Sequence, residues 1–218
     1  SHSDNQAMEL VSRVLKVNEA EIRNIKCLKA GMTNKSFLFD VGGDSYICRV
    51  PGPGTELLIN RKQEAAVYRV VGGLGISERT VYFDENTGYK ISKYYDGARN
   101  GDPHSQEDIA KCMELLRRFH QSGLKVDHAF DIWERTHFYE NLCRQHGGIP
   151  FEDYSAVYGQ MELLINWLGS LNRPRTLSHI DSNFDNFLML PDGQVRLIDW
   201  EYAGMCDPLI DLAMCAIY

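Results

Sequence analysis

The stretch Leu177-Ser178-His179-Ile180-Asp181-Ser182-Asn183-Phe184-Asp185-Asn186, followed by Arg196-Leu197-Ile198-Asp199-Trp200-Glu201, decides how the rest of the chain is read. A tight polar loop comes first. Leu188 to Leu190 and Val195 to Ile198 then flank Pro191-Asp192-Gly193, whose Asp-Gly pair is a strong hairpin signal. The hairpin delivers Asp199 to the end of an apolar strand, where a carboxylate can face a cleft. Asp181 has the chemistry to take a proton from a hydroxyl, and Asn186 and Asp199 are hard oxygen ligands suited to Mg²⁺. His179 completes the catalytic set, better placed to prop the loop by hydrogen bonds than to react. Asp185 and Glu201 are acidic enough to hold a metal but rank behind Asn186 and Asp199.

Phosphoryl transfer leaves little covalent chemistry to the protein, which must hold nucleophile, metal and phosphate in line. One loop presenting a base and a metal ligand together meets that need. His179, Asp181 and Asn186, with Ile198-Asp199-Trp200-Glu201-Tyr202 and Asp207-Pro208 through Asp211-Leu212-Ala213, resemble the choline/ethanolamine kinases. The likeness is to LicA-type bacterial choline kinases within the aminoglycoside-phosphotransferase-like group, and it spreads from about Gly31 to Tyr218. His-x-Asp-x4-Asn followed by Ile-Asp-Trp-Glu is far more specific than a lone glycine motif.

The resemblance implies an α+β, two-lobed, protein-kinase-like fold that uses ATP and Mg²⁺. Residues 1–96 are expected to form a small β-rich nucleotide lobe, and 97–218 a mainly helical catalytic lobe, incomplete at its end. The expected acceptor is a hydroxyl of a small amino alcohol, choline or ethanolamine first. An aminoglycoside or another small alcohol is the alternative, and a nucleotide-binding scaffold without activity is a reading of another class. Choline would need aromatic faces around a quaternary ammonium. Trp133, Trp167 and Trp200 are available, although each suits a core equally well.

Composition narrows the rest. With 44% hydrophobic and 24% charged residues, the 218-residue chain is ordinary for a globular protein and long enough to bury a real core. A formal net charge of -7 argues against a nucleic-acid partner. No apolar run reaches the length of a membrane span and no signal-peptide pattern opens the chain, so a cytoplasmic location is the default. The six cysteines are scattered, with no Cys-x-x-Cys pair, and predict neither disulfides nor a zinc site. Nothing in the sequence signals an oligomeric state.

In chain order, the polar residues Ser1 to Ala7 read as a cloning remnant ahead of a short amphipathic helix, Met8 to Val17. Strands Ile22 to Leu28 and Phe37 to Val41 enclose Ala30-Gly31-Met32-Thr33-Asn34-Lys35-Ser36. Backbone N–H groups of that loop, Gly31, Met32 and Asn34 among them, and the Thr33 and Ser36 hydroxyls can cover phosphates. An ordinary hairpin loop would look the same, and only its position before the other motifs favours the phosphate reading. The strand Ser45 to Val50 carries Arg49, which the resemblance assigns to the α- and β-phosphates, the alternative being a surface arginine.

A helix from Glu56 to Val71 is expected to place Asn60, Arg61, Gln63 and Glu64 on its polar face. Glu64 pairs with Arg49 in the kinase reading, or lies solvated; Glu56 is its less well placed competitor. Arg61 and Lys62 are expected near the phosphate mouth. Strands Thr80 to Asp84 and Tyr89 to Tyr95 lead to Lys93 to Asp96, the candidate adenine hinge, where Tyr94 and Tyr95 either contact the base or simply pack. Helices follow at Ser105 to Ser122, Ile132 to Gln145 and Tyr154 to Leu171, the first opened by Ser105 as N-cap. Asp211 is read as a structural group holding the catalytic loop, with Asp207 in the same role.

Overall fold

The computed structural model describes residues 2–28 and 33–217. In chain order the elements are α1 (His2–Leu15), β1 (Arg23–Cys27), β2 (Asn34–Val41), β3 (Asp44–Pro51), α2 (Arg61–Val71), β4 (Thr80–Phe83) and β5 (Lys90–Lys93). They continue with β6 (Arg99–Asn100), α3 (Gln106–His120), α4 (Ile132–Gln145), α5 (Tyr154–Ser170) and β7 (Thr176–Ser178). The last are β8 (Phe187–Met189), β9 (Val195–Leu197), β10 (Gly204–Cys206) and α6 (Leu209–Ala216).

A five-stranded antiparallel sheet in the order β1-β2-β3-β5-β4 makes the first lobe. Its strands alternate, and that period decides which side chains can reach a ligand. Phe37, Phe39, Cys48, Val50 and Ile91 turn to one face and form a core with Ala7 and Val11 of α1. Ser36, Ile47, Arg49, Lys90 and Ser92 occupy the alternate positions and line a cleft. The register puts Ser36 opposite Arg49 and Arg49 opposite Lys90, a polar row across three strands.

The rest is a helical region with two small sheets, β6-β8-β9 and β10-β7. Its core gathers Leu115, Leu116 and Phe119 of α3 with Leu177, Phe187, Leu197 and Trp200. Trp200, fully buried, meets Phe119 edge-on at 4.9 Å and the His179 ring at 4.7 Å. Val67, Tyr68 and Val71 of α2 enter this same core. The helix that follows the first three strands therefore packs against the β8–β9 hairpin, and the two parts of the molecule share it.

Three expectations change. The first helix begins at His2 rather than Met8, and Ala7 within it is fully buried. The helix expected from Glu56 starts instead at Arg61, because the Asn60 side chain caps it by accepting from the Gln63 N–H at 3.1 Å; Thr55–Leu57 form a separate 3-10 turn. Arg61 and Glu64, expected on a polar helix face, are buried. The helix at Ile132–Gln145 and the Ser105 cap, which accepts from the Asp108 N–H, match the expectation.

Candidate active site

The 179–186 loop is held from behind by one carboxylate. Asp211, fully buried near the start of α6, accepts from the backbone N–H of His179 at 3.0 Å and of Ile180 at 2.8 Å. His120 of α3 meets the same carboxylate at 2.7 Å. Ile180 sits at φ 78°, a conformation that costs a β-branched residue of order 1–3 kcal/mol and persists only where its surroundings dictate it. The paired bonds from Asp211 do so. Replacing Asp211 by Ala would strand two buried backbone donors and His120, at about 1–3 kcal/mol each. Urea denaturation is expected to show a loss of about 3 kcal/mol or more; a loss under about 1 kcal/mol would contradict this support role.

Within the loop His179 uses both ring nitrogens structurally. Nδ1 accepts from the Asp181 N–H at 3.2 Å, and Nε2 faces the Ile198 carbonyl at 2.9 Å, a pattern that fits the neutral ring with its proton on Nε2. His179 is therefore fully spoken for as a prop. Asp181 Oδ1 accepts from Asn183 Nδ2 at 2.9 Å and Oδ2 from Asn186 Nδ2 at 3.1 Å. Burial raises the Asp181 carboxyl above its ordinary range, opposed in part by those amide hydrogen bonds. Because Asn186 spends its NH₂ on Asp181, its side-chain oxygen is left to serve as a ligand.

The hairpin β8–β9 pairs Phe187 with Leu197, and the Ile198 N–H continues the ladder to the Asn186 carbonyl at 2.8 Å. Asp199 follows at φ 64°, its N–H donating to Glu78 Oε2 at 3.2 Å. Burial first, and then the Glu201 carboxylate, push the Asp199 carboxyl up to about 7. Its Oδ1 is buried without a hydrogen-bond partner among the described residues, as is Arg49 Nε. One unmet acceptor and one unmet donor on the same cleft are what a cation and a phosphate would satisfy. Among the described residues no three His, Cys, Asp or Glu side chains cluster as a metal cage. An ion held by Asp199 and Asn186 would take few ligands from the protein, which is compatible with Mg²⁺.

The cleft measures about 510 Å³ and joins Asp181 and Asp199 to the polar row of the first sheet. Arg49 and Glu64 do pair, both buried, with Nη2 3.1 Å from Oε1 and 2.8 Å from the Gly88 carbonyl. Burial opposes both charges, yet each outweighs it for the other, so Arg49 titrates above and Glu64 below its ordinary value. Glu56 is exposed and takes no part. Tyr94 and Tyr95 both line the cleft, but the Tyr95 hydroxyl accepts from the Arg79 N–H at 3.1 Å and Arg196 covers its ring, so that side chain packs.

Ser36, Thr33 and Asn34 reach the cleft, while Gly31 and Met32 lie outside the described residues. Thr33 and Asn34 donate to the Glu201 carboxylate at 3.0 and 3.1 Å rather than standing free. Asp207 does not support the loop as Asp211 does: it pairs with Arg173 and caps α6 through the Leu209 N–H. Asp185 is exposed. Sequence reasoning missed Lys90 and Glu78. Lys90 Nζ bonds the Tyr68 hydroxyl at 2.7 Å and Glu78 Oε1 at 3.4 Å, so Glu78 links a buried cation to the Asp199 backbone. Strand parity gave the only signal, since Arg49 and Lys90 fall on one face only once the register is known.

Residues 24–218 match the "Phosphotransferase enzyme family", and the chain belongs to that family. Membership places it in a family of phosphotransferases. The crystal structure of choline kinase LicA from Streptococcus pneumoniae superposes with a TM-score of 0.87 at 32% identity, covering 98% of this chain and 74% of that one. A LicA structure in complex with AMP gives 0.83 at 30% identity, covering 96% and 73%. Protein LicA of Haemophilus influenzae is 28% identical over 193 residues, 84% of this chain but 55% of the relative, so this chain spans little more than half of that protein. No described helix is long and apolar enough to cross a membrane.

Proposed function

We propose that this protein transfers the γ-phosphate of ATP to the hydroxyl of a small amino alcohol, with choline the preferred acceptor. The observation that carries the reading is the meeting of Asp181 and Asp199 on one cleft, with Asn186 bonded to the first. Had these side chains faced separate surfaces, the reading would have failed. In this scheme Asp181 takes the acceptor's proton while its oxygen forms a bond to the γ-phosphorus and the bond to the β-phosphate oxygen breaks, releasing ADP. Asn183 and Asn186 fix the direction of that carboxylate, and His179 holds the Asp181 backbone. Arg49, oriented by Glu64, faces the α- and β-phosphates, and Ser36 borders them; Gly31 to Asn34 supply the covering loop, and the 93–96 backbone the adenine contact. Asp199 and the Asn186 oxygen would hold Mg²⁺, which when bound neutralises charge on the phosphates.

The lobes are taken as 1–96 and 97–218, since every strand of the five-stranded sheet lies before residue 94. A reducing cytoplasm suits the six unpaired cysteines. Choline rests on the kinship with LicA-type proteins named for it. The test is ADP release from the purified protein with ATP, Mg²⁺ and choline, ethanolamine or an aminoglycoside. Turnover highest with choline supports the proposal. Turnover only with another alcohol replaces the acceptor, and tight ATP binding without turnover of any of them favours a scaffold.

A further inference from the structure

Arg61 opens α2, and its guanidinium contacts three side chains, two of which, Asn34 and Glu201, line the cleft. Nη1 lies 2.8 Å from Glu64 Oε1 and 3.3 Å from Glu201 Oε2, and Nη2 donates to Asn34 Oδ1 at 3.0 Å. The side chain is buried, as are both carboxylates. Each contact leads onward. Glu64 orients Arg49; Glu201 holds the Thr33 hydroxyl and the Asn34 amide; and Glu201 stands two residues after Asp199, across the cleft from the first sheet. The Arg61 stem is also confined, since a Cβ built at Gly88 would fall 2.5 Å from its Nε, and the same glycine's carbonyl receives Arg49.

Such a node is costly to build. Three charges out of water need near-complete pairing to be tolerated, and a hydrophobic cluster would stabilise at least as well. A planar fork with five fixed donors suits one cation that must serve two carboxylates and an amide at once, a task the point charge of lysine cannot match. We infer that Arg61 is a positioning residue that ties the nucleotide-facing loop at Thr33–Asn34 and the Arg49–Glu64 pair to the Asp199–Glu201 segment. It sets the first sheet's phosphate contacts relative to the catalytic hairpin without touching the reacting atoms. The inference rests on the proposed kinase reading for its kinetic part, and on geometry alone for the tie.

The test pairs Arg61→Met with Glu201→Gln, singly and together, with Arg61→Lys as a variant that keeps the charge and the fold. Misplacement of this kind is worth on the order of 10²-fold in rate. Arg61→Met is expected to lower kcat/KM for ATP by about that factor with the acceptor KM unchanged, and the double variant to fall no further than the worse single one. Arg61→Lys should keep the melting temperature and still lose most of kcat/KM for ATP. Independently, amide hydrogen exchange should quicken in 33–36 and at Gly52, whose N–H donates to the Thr33 carbonyl. Strictly additive losses, an equal rise in acceptor KM, or unchanged exchange in 33–36 would overturn the inference. If the wild-type protein transfers phosphate to no alcohol, the proposed reaction fails, while the exchange measurement still decides the tie.

Discussion

Replacing Asp181 by Asn is expected to cut turnover by at least about 10²-fold, the low end for losing a general base, while ATP affinity changes little. The carboxylate accepts one amide hydrogen bond on each oxygen, from Asn183 and from Asn186. An asparagine keeps the size but presents one oxygen and one NH₂, so it cannot accept both, and it cannot take a proton from a hydroxyl at neutral pH. The nucleotide contacts proposed for Arg49 and Ser36 lie elsewhere on the cleft and remain. Steady-state ADP release against ATP binding by calorimetry separates the two effects, and full turnover in the variant would remove Asp181 from the mechanism. Because burial raises its pKa, and only the ionised form can accept the proton, kcat should decline as pH falls through that raised value. The decline should begin at a higher pH than an exposed aspartate would set.

The parts of the site that adjoin in sequence were legible, and those that meet only in space were not. His179, Asp181 and Asn186 lie on one loop, and an Asp-Gly turn set the hairpin that brings Asp199 beside them, so local rules sufficed. Arg49 with Glu64 was also within reach, because strand-then-helix order and the family resemblance both put them together. Register was out of reach. Whether Lys90 shares a face with Arg49 depends on how β3 and β5 align, and a one-residue slip would turn it to the α1 core. Arg61 was misread for a related reason: a helical wheel ranks faces by composition, and a charged residue scores as solvent-facing even where Glu64 on its own helix, Asn34 of β2 and Glu201 from the other side of the cleft await it. Asp211 was legible as a support, yet the strained Ile180 that it stabilises left no trace in the sequence.

Asp199→Asn is expected to have opposite effects on stability with and without nucleotide. The Asp199 carboxyl is pushed from the ordinary 3.8 to about 7, first by burial and then by Glu201, so its ionised form is disfavoured in the fold. Between those two values the folded protein binds a proton that the unfolded chain does not, and stability from this group falls as pH rises through the window. Above it the full penalty applies, on the order of 4 kcal/mol for the rise from 3.8 to about 7 at about 1.4 kcal/mol per pKa unit. An asparagine carries no such charge. At pH 8 without ligand the variant should therefore melt several degrees higher than the wild type, and the difference should vanish near pH 4. With ATP and Mg²⁺ the order should reverse, since the wild type gains RT ln(1 + [L]/Kd) from a ligand the variant can no longer hold well. Differential scanning calorimetry at pH 4 and pH 8, with and without Mg²⁺-ATP, reads both halves. A variant that is less stable than the wild type at pH 8 without ligand would contradict the charge penalty, and an equal gain from Mg²⁺-ATP in both proteins would remove Asp199 from the metal site. The two outcomes are independent, because the first concerns the cost of an unpaired buried charge and the second what that charge is kept for.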